Sequence, residues 1–395
     1  MKSKFGSRKM IDGKKVCGIV CEYNPFHNGH KYQIDQTRRL GYDYIICAMS
    51  GSMVQRGDVA VYDKWFRAKT AVENGADLVI EIPAYYVLQS AQNYAHGAVR
   101  LIDSLGIADG LSFGSESADL HRLNEISDIL CNEPQIFKDT LAAALKNGLS
   151  YPAACAAAFA ETLADAQFSL MPNDTLAVNY MSALKKIGSS ITPVAVTRSG
   201  GYHDTAPLSA DCASATAVRA LISDGKDISA YVPNISNERY NINRIESLIL
   251  GTLRLADASK LGDTTGMEPG LANRLISCAK SAANLDEFFA ACVSKRYTAH
   301  RIRRTVLCAL LTMKQGFVHD YIRVLSFNEN GKNILAHIKK KSGLAIVTKT
   351  ADFVPRENSA FRFDIAATDI AALCCNFPEK RKGGKDFTTS PSFVR

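Results

Sequence analysis

The sequence predicts an α/β protein whose first half is a parallel sheet covered on both faces by helices, followed by a mainly helical second half. Three observations carry this expectation. Short, continuously apolar runs of strand length recur through the first half. Stretches of helical length separate them, which calls for crossover connections and parallel pairing. After about Ile222 the strand signals thin out and helical periodicity takes over.

Taken in order, Val16-Cys17-Gly18-Ile19-Val20-Cys21 is an apolar run ending at a polar turn, as expected of a strand buried on both faces. A helix from about Gly29 to Leu40 precedes a second buried strand, Tyr44 to Met49. A helix over Lys64 to Asn74 leads through Gly75 into a third strand, Asp77 to Ile82, stopped by Pro83. A helix from Ser90 to Ser104 introduces a fourth strand, Gly110 to Gly114, and Ile191 to Thr197 is the fifth. The alanine-rich stretch Thr140 to Ala166 has high helix propensity and belongs to a helical insertion of about 118–185 within a first domain of 1–225.

The second domain, 226–395, shows helical periodicity over Ser247 to Ala256, Gly270 to Ala282, Leu285 to Val293 and Thr298 to Met313. Extended pieces at Tyr321 to Leu325 and Leu344 to Thr348 are expected to form a small sheet element of their own. The last fifteen residues, polar and glycine-rich, are expected to be mobile.

Composition narrows the class. The chain has 395 residues, 47% hydrophobic and 22% charged, ordinary values for a globular protein. No apolar run approaches the roughly 20 residues that span a bilayer, so no membrane partner is expected. The basic N-terminus lacks the apolar stretch of a secretory signal. Eleven cysteines without a single CxxC, in mostly apolar settings, indicate reduced thiols in a cytoplasmic protein, with no structural metal site. A formal charge of +8 permits a nucleic-acid partner without requiring one.

Chemistry concentrates at the first strand–helix junction, where α/β sheets gather ligands. The junction carries Glu22-Tyr23-Asn24-Pro25-Phe26-His27-Asn28-Gly29-His30. Helix N-terminal N–H groups bind anions, and Gly29 is expected to let a phosphate approach the backbone. His27 and His30, three apart, share one face of the first helical turn. Two imidazoles there suit a phosphate whose charge rises in the transition state. No GxxxxGK[ST] occurs, which argues against P-loop kinase or ATPase chemistry.

HxGH in this position resembles the signature of the nucleotidyltransferase superfamily, whose members direct a nucleophile at the α-phosphate of a nucleoside triphosphate and release pyrophosphate. The resemblance implies a Rossmann-like nucleotidyltransferase domain. A second superfamily feature, a Ser/Thr-rich turn ending in arginine, resembles Ala213-Ser214-Ala215-Thr216-Ala217-Val218-Arg219. Ser214, Thr216 and Arg219 are then phosphate-binding candidates, or else parts of an N-capped surface helix with an ordinary arginine.

Further motifs narrow the resemblance. Met49-Ser50-Gly51, Val54-Gln55-Arg56-Gly57-Asp58, Asp63-Lys64-Trp65 and Glu73 through Glu81 closely resemble the bacterial tRNA(Met) cytidine acetate ligases. So do Phe113-Gly114-Ser115-Glu116, Pro172-Asn173-Asp174 and Arg198…Gly201-Tyr202-His203-Asp204. The resemblance implies activation of acetate by ATP to acetyl-adenylate, then acetylation of the exocyclic amine of the wobble cytidine of elongator tRNA(Met). No DNA partner is expected, and magnesium is expected to accompany ATP. The family's ATP site falls on Gly18-Ile19-Val20-Cys21-Glu22-Tyr23-Asn24-Pro25-Phe26-His27-Asn28-Gly29-His30-Lys31, completed by Gly114, Asn173 and Arg198. Lys31 stands where many relatives have an apolar residue; it either adds a phosphate contact or faces solvent. Arg56, Asp58, Asp63 and Lys64 either shape an acetate pocket or pair with one another.

The densest basic stretch runs from Lys295 to Arg304. With Thr298 as N-cap, Arg301, Arg303 and Arg304 crowd the start of a helix, where cations oppose the macrodipole unless a polyanion neutralises them. Arg296 joins them as a tRNA-binding candidate, and Tyr297 as a residue that stacks on an unpaired base. The alternative is a solvated basic face partnered by acidic side chains. Two rival functions follow from the same residues: a small-molecule adenylyltransferase of the phosphopantetheine or nicotinate-mononucleotide type, and a tRNA-binding protein that holds ATP without catalysis.

Overall fold

The computed structural model describes residues 11, 13–197 and 212–395. The first half follows the expected alternation: β1 (Val16–Cys21), α1 (Asn28–Arg39), β2 (Tyr44–Ser50), the short β3 (Met53–Val54) and β4 (Asp58–Val59), α2 (Lys64–Glu73), β5 (Leu78–Ile82), α3 (Ala84–Val87), α4 (Ala91–Ser104) and β6 (Gly110–Ser115). Then come α5 (Leu120–Asn132), α6 (Gln135–Lys146), α7 (Tyr151–Thr162), α8 (Pro172–Lys186), β7 (Thr192–Thr197) and α9 (Ala215–Ser223). The second half holds α10 (Glu246–Leu255), α11 (Ala258–Gly262), α12 (Leu271–Ser281), α13 (Leu285–Cys292), α14 (Ala299–Leu310), β8 (Tyr321–Phe327), α15 (Glu329–Lys341), β9 (Ala345–Val347), α16 (Phe361–Leu373), α17 (Lys385–Thr388) and β10 (Ser392–Phe393).

The main sheet runs β10-β8-β5-β2-β1-β6-β7, with β9 beside β8. Strands β5, β2, β1, β6 and β7 run parallel to one another. From β1 the chain first builds outward to β2 and β5, and later returns to the other side to lay down β6 and β7. The sheet therefore changes direction beside β1, and the crevice beyond the carboxyl ends of β1 and β6 is the place where such a fold takes a ligand.

Burial explains why these runs are strands. All seven residues of β2 and all five of β5 are buried, which requires helices on both faces. One face packs on α4 through Ala98, Leu101 and Ile102. The other packs on α1 and α2 through Ile34, Ala68 and Ala71. The alanine-rich stretch is not one helix: the turn at Gly148, with φ of +82°, divides it into α6 and α7.

Two expectations for the second half are corrected. The segment beginning at Tyr321 does not form a sheet of its own. Its core residues Ile322, Val324 and Leu325 are wholly buried, and β8 pairs antiparallel with β5, so it extends the first half's sheet. The last fifteen residues are not loose. They form α17 and β10, which pairs with β8, and Asp386 enters the core to meet Lys64 Nζ at 3.0 Å. Among the described residues no helix is long and apolar enough to cross a membrane.

Candidate active site

The turn from β1 into α1 is held from several sides. Asn24 is buried; its Oδ1 accepts from the Val61 N–H at 2.7 Å. The Glu22 carbonyl accepts from Arg67, whose guanidinium also donates to the Ser50, Gly51 and Tyr62 carbonyls. Glu22 Oε1 accepts from the Gln55 N–H at 2.7 Å. Tyr23 adopts φ of +47°, a left-handed conformation uncommon for a tyrosine, and its ring meets Phe26 and His30 edge-on, each at 4.8 Å. The peptide bond Asn24-Pro25 is cis.

His27 is the N-cap of α1. Its Nδ1 accepts from the Gly29 N–H at 3.1 Å, while His30 Nδ1 accepts from the His27 N–H at 3.2 Å. The pair is a capping box built from two imidazoles. Because each Nδ1 is an acceptor, each neutral ring carries its proton on Nε2. Gly29 has a packing reason as well: a Cβ there would lie 2.9 Å from His27 Cε1, so the glycine makes room for the folded-back ring. Gly18, too, serves packing. It is buried mid-strand, where a Cβ would lie 2.7 Å from Ile102. Ile19 and Cys21 are likewise buried, and Val20 is half-buried. Burial pushes the Cys21 thiol well above its ordinary range, which keeps it protonated and unreactive.

Gly114 behaves otherwise. It lies near the carboxyl end of β6, and a Cβ built on it meets nothing within 4 Å among the described residues. Asn173 sits in the first turn of α8, its Nδ2 donating to Glu116 Oε1 at 2.6 Å. Glu116 also accepts the Asn173 and Asp174 N–H groups, and Asp174 in return accepts from Ser115 and from the Glu116 N–H. The two carboxylates lock the end of β6 to the start of α8. Lys31 faces solvent and pairs with Asp35 at 3.2 Å. Arg198, with Gly201, Tyr202, His203 and Asp204, lies outside the described residues.

The second motif is brought against the first. Ser214 caps α9, accepting from the Ala217 N–H at 3.1 Å. Arg219 spans the gap: Nη1 donates to the Asn24 carbonyl at 2.7 Å and Nη2 to Thr216 Oγ1 at 3.2 Å. The helix is capped as the plain alternative required, but its arginine reaches the turn between β1 and α1. Of the residues considered for acetate, Lys64 is buried against Glu81 and Asp386, and Asp63 caps α2 and pairs with Lys385. Asp58 is raised by burial, opposed by the Val59 N–H and by Arg303 and Arg219.

The basic stretch divides its cations among local partners. Arg296 and Arg301 both reach Glu268. Arg304 donates to the Gln55 carbonyl at 3.2 Å, and burial lowers it to about 10. Arg303 lies 4.1 Å above the Phe289 ring. Tyr297 does not offer a stacking face: it is 8% exposed, with the Arg296 and Arg301 guanidiniums over its ring.

Sequence reasoning assigned no role to Arg67, Glu116 or Gln55. Arg67 had a local signal, since it lies one residue from Ala68 and four from Ala71 on the packed side of α2. The other two act through backbone groups, which leave no pattern in sequence.

Two imidazoles at a helix N-terminus, placed where the sheet changes direction, mark the fold as that of a nucleotidyl transferase. The sequence model of the HIGH nucleotidyl transferases matches residues 14–386. A tRNA(Met) cytidine acetate ligase of Thermoanaerobacter sp. (strain X514) is 36% identical over 396 residues, 94% of this chain and 98% of the relative. One from Caldanaerobacter subterraneus subsp. tengcongensis is 37% identical over 383 residues, 91% of this chain and 95% of the relative. Among solved structures, Thermotoga maritima TmcAL bound with alpha-thio ATP superposes with a TM-score of 0.87 at 31% identity, covering 96% of this chain and 100% of that one. The chain belongs to the tRNA(Met) cytidine acetate ligase family.

Proposed function

We propose that the protein activates acetate with ATP and transfers the acetyl group to the N4 amine of the wobble cytidine of elongator tRNA(Met). The observation that carries this reading is the pair of imidazoles capping α1 at the sheet's switch point. In the first step an acetate oxygen attacks the α-phosphorus, the bond to the β-phosphate oxygen breaks, and pyrophosphate leaves. The His27 and His30 Nε2–H groups and the α1 N-terminus stabilise the charge that grows on the α-phosphoryl oxygens. Arg219, held beside this turn by its bonds to the Asn24 carbonyl and Thr216 Oγ1, is assigned to the departing phosphates as a permanently charged planar donor. In the second step the cytidine amine attacks the acetyl carbonyl and AMP leaves.

The ATP site proper is assigned to the Glu22–His30 turn with Gly114, Asn173 and Arg198. Magnesium enters as the counter-ion of the triphosphate. Among the described residues no three His, Cys, Asp or Glu side chains gather to hold a metal, so its ligands in this reading are chiefly phosphate oxygens. Arg296, Arg301, Arg303 and Arg304 are assigned to tRNA docking.

The test is exchange of labelled pyrophosphate into ATP, followed by nucleoside mass spectrometry of tRNA(Met). Acetate-dependent exchange and N4-acetylcytidine support the reading. Exchange driven by a mononucleotide or phosphopantetheine and not by acetate replaces it with a small-molecule adenylyltransferase, and silence with every acceptor leaves a protein that holds ATP without catalysis.

A further inference from the structure

We propose that unpaired nucleotides of an RNA loop lie in the groove between the helical insertion and α14, bases against the α6–α7 junction and phosphates against α14. The inference rests on the RNA-modifying reading above and assigns the surface on which that substrate is held.

The groove has a volume of about 1510 Å³. That exceeds the roughly 300–1,000 Å³ of ordinary small-molecule pockets, and suits several nucleotides. Its two sides differ in chemistry. One side is apolar and aromatic: Leu149 and Tyr151 at the α6–α7 junction, with Phe168 and Leu170 ahead of α8. Leu149 and Tyr151 are 39% and 48% exposed, more than is usual for large apolar groups. The α14 side is cationic, lined by Arg296, Arg301 and Arg304. Glu268 is the one carboxylate among the lining residues.

The lining also carries side-chain amides, Gln89, Gln92, Asn93, Asn179 and Gln315, which offer both donors and acceptors to base edges. A lipid or an apolar peptide would use the first wall and not the second. An RNA duplex would use the cations, but it hides its base faces. Splayed single-stranded RNA satisfies all three sets of groups. Phosphate oxygens have the geometry to replace Glu268 on the forks of Arg296 and Arg301.

The groove also opens beside the active site. Gln55 lines it and donates its N–H to Glu22 of the nucleotide turn. Asn179 lines it from α8, whose first turn carries Asn173. A strand held here leads toward the crevice in which acetyl-adenylate would form.

The test is filter binding of the tRNA(Met) anticodon stem–loop and of a blunt duplex of equal length, without ATP or acetate. Loss of a base–aromatic stack in Tyr151→Ala is expected to weaken stem–loop binding by about 5- to 150-fold, while Tyr151→Phe binds as wild type. Duplex binding is expected to be weaker and unchanged by Tyr151→Ala. Glu268→Gln, which exposes both arginines, is expected to steepen the log–log salt dependence by about 0.7 per added phosphate contact. Wild-type affinity in Tyr151→Ala together with Leu149→Ser, equal losses for stem–loop and duplex, or no RNA binding at all would each overturn the assignment. Because the assay contains neither ATP nor acetate, failure of the acetate chemistry appears only in pyrophosphate exchange.

Discussion

The imidazole rings of His27 and His30 are stacked, with centroids 3.7 Å apart and planes 29° from parallel. Both Nδ1 atoms accept backbone N–H groups, so the bonds that cap the helix also leave each ring proton on Nε2, the atom the proposed chemistry uses. The two roles separate by substitution. His27→Asn keeps a side-chain acceptor at the N-cap, where asparagine is among the best residues, but removes the ring. Acetate-dependent pyrophosphate exchange is expected to fall about 100- to 1,000-fold, with thermal stability little changed. His27→Ala is expected to lose the same activity and about 1 kcal/mol of stability besides. Wild-type exchange in His27→Asn would reduce the ring to a cap.

Arg219 joins the two motifs, and its fork is what the join needs. Arg219→Lys keeps the charge but cannot span the Asn24 carbonyl and Thr216 together. Each hydrogen bond from a charged donor contributes about 1.5–3 kcal/mol. Exchange is therefore expected to drop about 10- to 100-fold in Arg219→Lys, with kcat falling more than KM for ATP rises if the lost contact is to the departing phosphates. A change confined to KM would make Arg219 a positioning residue for the turn alone.

How much of this was legible in the sequence depends on whether the cause is local. Strands β1, β2 and β5 are buried on both faces, so they read as continuous apolar runs. The two histidines were legible because a three-residue spacing at a helix start places them on one face. The placement of β8 was not, since the same apolar run suits any sheet edge, and its partner β5 lies some 240 residues earlier. The chain end misled for a related reason. A buried ion pair such as Asp386 with Lys64 looks in sequence like two surface charges. The Glu116–Asp174 lock escaped likewise, because the carboxylates bind each other's backbone across the insertion. Tyr297 shows the reverse error: an aromatic among arginines suggested base stacking, while the arginines themselves cover its ring.

The same ion pair anchors the chain end. Lys64 is fully buried between Glu81 and Asp386, each about 3.0 Å away, and Asp386 also meets Arg323. Burial alone would lower the Lys64 pKa, but Asp386 and Glu81 raise it, so it remains charged. Lys64→Met leaves two carboxylates in the core without their cation. The expected loss is about 3–5 kcal/mol in urea unfolding, accompanied by faster proteolysis of the segment after Gly384. Stability unchanged in Lys64→Met would mean that Arg323 compensates both carboxylates.

His319 gives the fold a signature in pH. Its Nε2 is enclosed and has no hydrogen-bond partner among the described residues, and the ring meets Tyr86 and Tyr321 edge-on. Burial, with a smaller contribution from Arg100, lowers its pKa to about 4, against the Tyr321 backbone bond and Asp320. Unfolded histidine titrates near 6.5, so between 6.5 and about 4 the unfolded chain binds the proton first. This contribution is full above pH 6.5 and is lost as pH falls toward 4, amounting to about 2 kcal/mol by pH 5. Asp58, Glu81 and Asp364 are all raised by burial, which makes the folded state bind protons first and bends the curve the opposite way. The measurement is therefore a difference: urea unfolding of wild type and His319→Gln at pH 7.5 and pH 5. The wild type is expected to lose about 2 kcal/mol more than the variant over that interval, and equal losses would mean that the imidazole takes up its proton as readily in the folded protein as in the unfolded chain.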